Sequence, residues 1–125
     1  PALRKIARGI ISEQTRGIAE MEGMLSCCGV CINCARDVGL YQRRTGNVMS
    51  TMFREMGTAP DTNHIDVDFM REMIPHHEGA IHMAETALQY EICPELLPML
   101  KEIIRSQKQG VLEMEALLRR SGVKL

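Results

Sequence analysis

The stretch Asp66–Gln89, DVDFMREMIPHHEGAIHMAETALQ, decides how this chain folds. Its apolar residues return at helical rather than strand spacing. Setting Met73 at 0° and turning about 100° per residue puts Phe69 at about −40°, Ala80 at about −20° and Ala84 at about +20°. Met70 then falls at about +60°, Ile81 at about +80° and Met83 at about −80°. His76, at about −60°, and His77, at about +40°, lie inside this arc on either side of Met73. Arg71, Glu78, His82 and Glu85 take the other side, with His82 nearly opposite Met73. The pattern predicts an amphipathic helix that carries two imidazoles into the packed face and leaves Glu78 and His82 pointing outward. Asp66 or Asp68 is suited to cap its start. Pro75 lies within the pattern, where its missing N–H and its ring predict a kink just before the histidines. The arc continues upstream through Phe69, Met70 and Met73, which argues against a helix that starts only at Ile74.

A second element repeats. Pro1–Leu25 laid on Pro94–Leu118 gives ten identities in 25 ungapped positions, among them Gln14 with Gln107, Gly17 with Gly110, Met21 with Met114 and Leu25 with Leu118. In the later copy Leu97, Leu100, Ile104, Gln107, Val111, Met114 and Leu118 alternate steps of three and four, the spacing of a bundle seam. Pro94 fits a first helical turn, where its N–H is not needed. A shared Gln inside an apolar seam favours duplication over coincidence. A complete second unit needs a partner for the Met/His helix before Pro1. The expectation is therefore a truncated tandem domain, or half a site completed by another subunit. Val38–Met56 reads as a further helix, with Tyr41, Thr45, Val48, Met49, Met52, Phe53 and Met56 near one face; Gly57–Asn63, containing Pro60, reads as a loop. Four helices with short connections predict a single all-α domain, residues 1–125, folded as an antiparallel four-helix bundle.

Composition agrees. The 125 residues are 45% hydrophobic, with ten Met, two Phe, two Tyr and no Trp, so core volume must come from Leu, Ile and Met. The net charge of −1, with both signs interspersed, gives no basic stripe for nucleic acid. No apolar run approaches the roughly 20 residues of a membrane span. No signal peptide is apparent, since the first 25 residues read as a charged amphipathic helix.

An imidazole on a packed face needs a hydrogen-bond partner or a metal. Two readings of His76 and His77 follow: histidines satisfied in the core, or ligands. Their neighbours Met73 and Met83, with small Ala80 and Ala84 between, admit the second. Imidazoles with thioethers suit copper, above all Cu(I), better than hard cations. Inward Glu-x-x-His pairs of a di-iron bundle do not occur on these helices. A zincin motif, a phosphate-binding glycine loop and a hydrolytic triad are also missing, so catalysis is not expected.

The run Asp68–Ala84 resembles the signature of the bacterial domain of unknown function 305 family, and Pro94-Glu95-Leu96, Ile103-Ile104, Gln107 and Met114 resemble that family's second helix. The resemblance implies a ferritin-like helical bundle, often in tandem copies; some members bind copper in the periplasm or cell exterior. It carries over Met73, His76, His77 and Met83 as the metal set, with Gln107 and Met114 on the facing helix. Where the family commonly reads Gln-x-x-Glu-Ile, this chain has Gln107-Lys108-Gln109-Gly110-Val111 and Gln14-Thr15-Arg16-Gly17-Ile18. The carboxylate is missing from both copies, which favours a soft Met/His site.

Four of the five cysteines, Cys27, Cys28, Cys31 and Cys34, lie within eight residues. They suit a second, thiolate site for copper or zinc, local disulfides, or reduced thiols of a cytoplasmic protein. Cys93 has no local partner in sequence. The leading expectation is a non-catalytic transition-metal protein, which can also be a homo-oligomer. The alternative is a structural or protein-interaction module without metal, and a third reading is a redox sensor using Cys27–Cys34.

Overall fold

The computed structural model describes residues 1–27 and 33–123, apart from the side chains at 26 and 27. The chain forms α1 (Ala2–Cys27), α2 (Ala35–Thr58), α3 (Ile65–Ala87) and α4 (Leu96–Arg120). No strand occurs among the described residues. It is an all-α four-helix bundle, and the elements expected from hydrophobic periodicity are the ones observed.

α3 lies between α2 and α4 and packs extensively on both. Polar contacts give the direction of the first pair. Asn33, ahead of α2, donates to the Glu91 carbonyl beyond α3 at 2.7 Å, and Tyr41 meets Tyr90 edge to face at 6.0 Å. Arg44 donates to Gln89 and lies over the Tyr90 ring. Further along, Met52 meets α3 at Gly79. Early α2 thus faces late α3, an antiparallel pair, as the short connection requires. α4 is antiparallel to α3 as well: Val67 and Met70 cluster with Met114 and Leu118, and His77 lies against Gly110.

The main core sits where α3 begins and α4 ends. Val67, Met70, Met114 and Leu118 are buried there, with Leu3, Ile6, Phe69, Met73, Ile74, Leu117 and Val123 packed around them. The end of α4 secures this corner. Gly122 adopts φ +77°, a left-handed conformation that glycine reaches without a steric penalty. Its N–H bonds the Arg119 carbonyl, and the Val123 N–H bonds that of Leu118 at 3.1 Å. This reverse turn folds Val123 back onto the cluster that contains Leu118.

α1 is attached differently. It touches α4 lightly, and Leu3 and Ile6 reach the core, but none of its described side chains is buried. No helix among the described residues is long and apolar enough to cross a membrane.

Three local expectations need correction. Neither Asp66 nor Asp68 caps α3, because the helix starts one residue earlier than read and His64 takes the cap position without a side-chain bond. Asp68 instead ties down the preceding loop, accepting from the Thr62 N–H at 2.9 Å and the Thr62 hydroxyl at 2.7 Å. Pro94 lies in the turn ahead of α4, and it is Pro98 that occupies the first turn. Glu78 does not point freely outward. It is half-buried between α2 and α4, where burial and the nearby Glu55 and Glu115 raise its pKa.

Candidate metal site

α3 places its arc between two neighbours, and this splits it. On the wheel, the buried residues Val67, Met70, His77, Ile81 and Ala84 fall between about +20° and +120°, toward α4. Gly79 and Thr86, also buried, fall at about −120° to −140°, and Gly79 meets α2. Between these strips run Phe69, Met73, His76, Ala80 and Met83, at steps of four and three, and all five are half-buried. Three of the four expected ligands, Met73, His76 and Met83, therefore share one partly open stripe. The fourth, His77, is turned into the α3–α4 contact.

His77 is 3% exposed. It fits because Gly110 has no side chain. A Cβ at residue 110 would stand 2.9 Å from His77 Cδ2 and 3.2 Å from Nε2, closer than packed carbons come. Gly79 plays the same part on the other side, where a Cβ would meet Met52 Sδ at 2.6 Å. The sequence marks Gly110 both as a missing carboxylate and as the repeat counterpart of Gly17. Its place in the seam, one turn from Gln107, is the signal that marks a close approach.

The polar atoms here are incompletely paired. Nδ1 of His76 and Oε1 of Gln107 are buried without a hydrogen-bond partner, and the buried His77 ring has only the Met73 backbone within reach. Leaving such a group unsatisfied costs about 1–3 kcal/mol. The His76 and His77 rings stand 6.1 Å apart at 62°. Burial lowers the His77 pKa and the neighbouring His76 lowers it further, while the Met73 backbone pulls the other way. The imidazole is neutral at neutral pH, the form that offers a lone pair. His77 also helps line a groove of about 440 Å³ between α1 and α4.

Of the facing-helix residues, Gln107 is buried in the α4 seam, and Met114, fully buried, belongs to the core cluster with Met70. His82 is exposed as expected and pairs with Glu85 at 3.4 Å. No group of three or more His, Cys, Asp or Glu side chains suited to a metal occurs among the described residues. A metal at this place would have to use imidazole, thioether and amide donors.

The thiol cluster is only partly visible. Cys28, Cys31 and the Cys27 side chain lie outside the described residues. Cys34 is a free, exposed thiol, and Cys93 is half-buried. The Asn33–Glu91 hydrogen bond brings the segments that carry them to the same end of the bundle.

The family model of a domain of unknown function, DUF305, matches residues 1–118. The chain belongs to this family. The match takes in α1 as well as the α3–α4 pair, so the light attachment of α1 occurs within the family's own span. No curated protein matches the sequence.

Proposed function

We propose that the chain is a non-catalytic binding protein for a soft transition metal, copper as Cu(I), held at His76 and His77 with Met73 and Met83. One observation carries the reading: two adjacent histidines lie on a methionine-lined face, and His76 keeps a buried Nδ1 without a hydrogen-bond partner. The donor chemistry fits. Imidazole and thioether are soft or borderline ligands, and no carboxylate cluster among the described residues competes with a harder preference. Ring centres 6.1 Å apart are within reach of one shared ion, since nitrogen–metal bonds are about 2 Å. Gln107, with its unpartnered amide oxygen, supports the site from the facing helix.

The test is an anaerobic Cu(I) titration against a competing chromophoric chelator, with all five cysteines replaced by serine. The expected result is one ion bound per chain, lost in the His76→Ala/His77→Ala variant while helicity persists. Equal affinity in that variant would reject the site.

A structural reading has its own observation. The His77 imidazole fills the space over Gly110, which interhelical packing alone could select. Thermal stability indifferent to Cu(I) and to chelator would favour that reading.

A further inference from the structure

Methionine is not confined to α3: α2 carries Met49, Met52 and Met56 at steps of three and four. Their place relative to the candidate metal site follows from register. Tyr41 meets Tyr90, Arg44 donates to Gln89, and Met52 abuts Gly79. In an antiparallel pair each step forward along α2 is a step back along α3. These contacts therefore set Met49 level with residues 82–84 and Met56 level with residues 75–77.

The flank is fixed as well. Asn47, Thr51 and Glu55 share a pocket with Pro75, Glu78 and His82, which makes these residues one edge of the α2–α3 contact. With Met52 at 0°, Asn47, Thr51 and Glu55 fall between about −140° and −60°, while Met56, Met49 and Phe53 fall between about +40° and +100°. About Gly79, α3 divides in the same way: Pro75, Glu78 and His82 lie to one side, His76 and Met83 to the other. The opposite edge of the contact thus brings Met56 beside His76 and Met49 beside Met83. That edge is reachable and incompletely paired. Met56, His76 and Met83 are half-buried, Met49 is 38% exposed, and the buried His76 Nδ1 has no hydrogen-bond partner.

We propose that this edge is a thioether-rich soft-metal site in which Met49 and Met56 of α2 join His76 and Met83 of α3. The inference rests on the copper reading of His76 and extends it to a second helix. One imidazole among neutral, polarizable thioethers suits a soft univalent ion, Cu(I) or Ag(I), in preference to Zn(II).

The test uses the full chain with its five cysteines replaced by serine and its methionine methyls labelled with carbon-13. Single Met→Leu substitutions, which nearly keep side-chain volume, assign the methyl signals. One equivalent of Ag(I) in chloride-free buffer should shift the signals of Met49, Met56 and Met83. Those of Met99 and Met114, buried in α4, should stay in place. Met49→Leu/Met56→Leu should weaken Cu(I) binding about tenfold or more while helicity persists. Unmoved Met49 and Met56 signals, with Met73 and Met83 shifting, would overturn the proposal and leave the α3 site standing. Equal Cu(I) affinity in the Met49→Leu/Met56→Leu variant would do the same. If no methyl signal responds, the α3 site falls with it.

Discussion

Gly110→Ala tests the packing on which the site depends, and the repeat supplies its internal control. The new Cβ would lie 2.9 Å from His77 Cδ2, on a ring that is 3% exposed and has little room to withdraw. Overpacking of this kind costs about 1–3 kcal/mol. Replacing a mid-helix glycine by alanine returns up to about 1 kcal/mol of helix propensity. The net change should therefore be a destabilisation of up to about 2 kcal/mol. Gly17→Ala at the equivalent position of α1 meets nothing within 4 Å and should show only the gain. The difference between the two variants, about 1–3 kcal/mol, isolates the imidazole contact. Urea denaturation followed by helical circular dichroism measures it, and a domain of this size should show a melting shift of roughly 3–6 °C per kcal/mol. A double-mutant cycle with His77→Ala should recover most of the penalty as coupling energy. The reasoning fails if Gly110→Ala stabilises the chain as much as Gly17→Ala does, or if the cycle shows no coupling.

Other consequences are open to simpler measurements. Gly79→Ala should destabilise through Met52, whose Cβ would lie 3.1 Å from the new methyl, and Met52→Ala in the same chain should remove that conflict in a melting assay. The lowered His77 pKa means the unfolded chain binds the extra proton first. Stability should therefore fall as pH drops below the ordinary value of 6.5, by at most about 1.4 kcal/mol per pH unit for one proton, and His77→Gln should flatten that slope. The raised Glu78 pKa has the opposite sense, because the folded chain holds its proton more tightly. Glu78→Gln should accordingly raise the melting temperature at pH 7, with the gain vanishing near pH 4 where the wild-type carboxyl is protonated. Asp68→Ala should cost about 1–3 kcal/mol in urea denaturation, since its carboxylate receives both the amide and the hydroxyl of Thr62.

The helices were legible because each carries a period that only one structure satisfies. Residues 66–89 place their apolar positions at helical steps over more than six turns, and the repeat of Ile10-Ile11 and Gln14 in Ile103-Ile104 and Gln107 marks two helices with the same seam. Helix ends were less legible. Asp66 and Asp68 both have capping chemistry, but the choice depends on where the chain enters the helix. That is settled by the loop, through the Thr62–Asp68 bonds. The burial of α1 was illegible for a different reason. Amphipathicity says that a face should be covered, yet Ile11, Ile18, Met21 and Leu25 are as apolar as their α4 counterparts while lying in solvent.

The site shows how far a helical wheel can be taken. The wheel puts His76 and His77 about 100° apart on one arc, but it has no knowledge of neighbouring helices. With α4 on one flank of α3 and α2 on the other, that angle separates a buried imidazole from a half-buried one. Gly110 then acquires a meaning that the sequence alone did not supply. At the position where the family resemblance implies Glu, this chain has a glycine, and the His77 ring occupies the space a side chain there would fill. A carboxylate side chain at 110 and the imidazole in its present position exclude each other sterically. The glycine is therefore what makes room for the buried His77 imidazole against α4. Gly17, the repeat counterpart in α1, faces open space instead, with nothing among the described residues within 4 Å of a Cβ built there, so the same residue type has no packing role at that position.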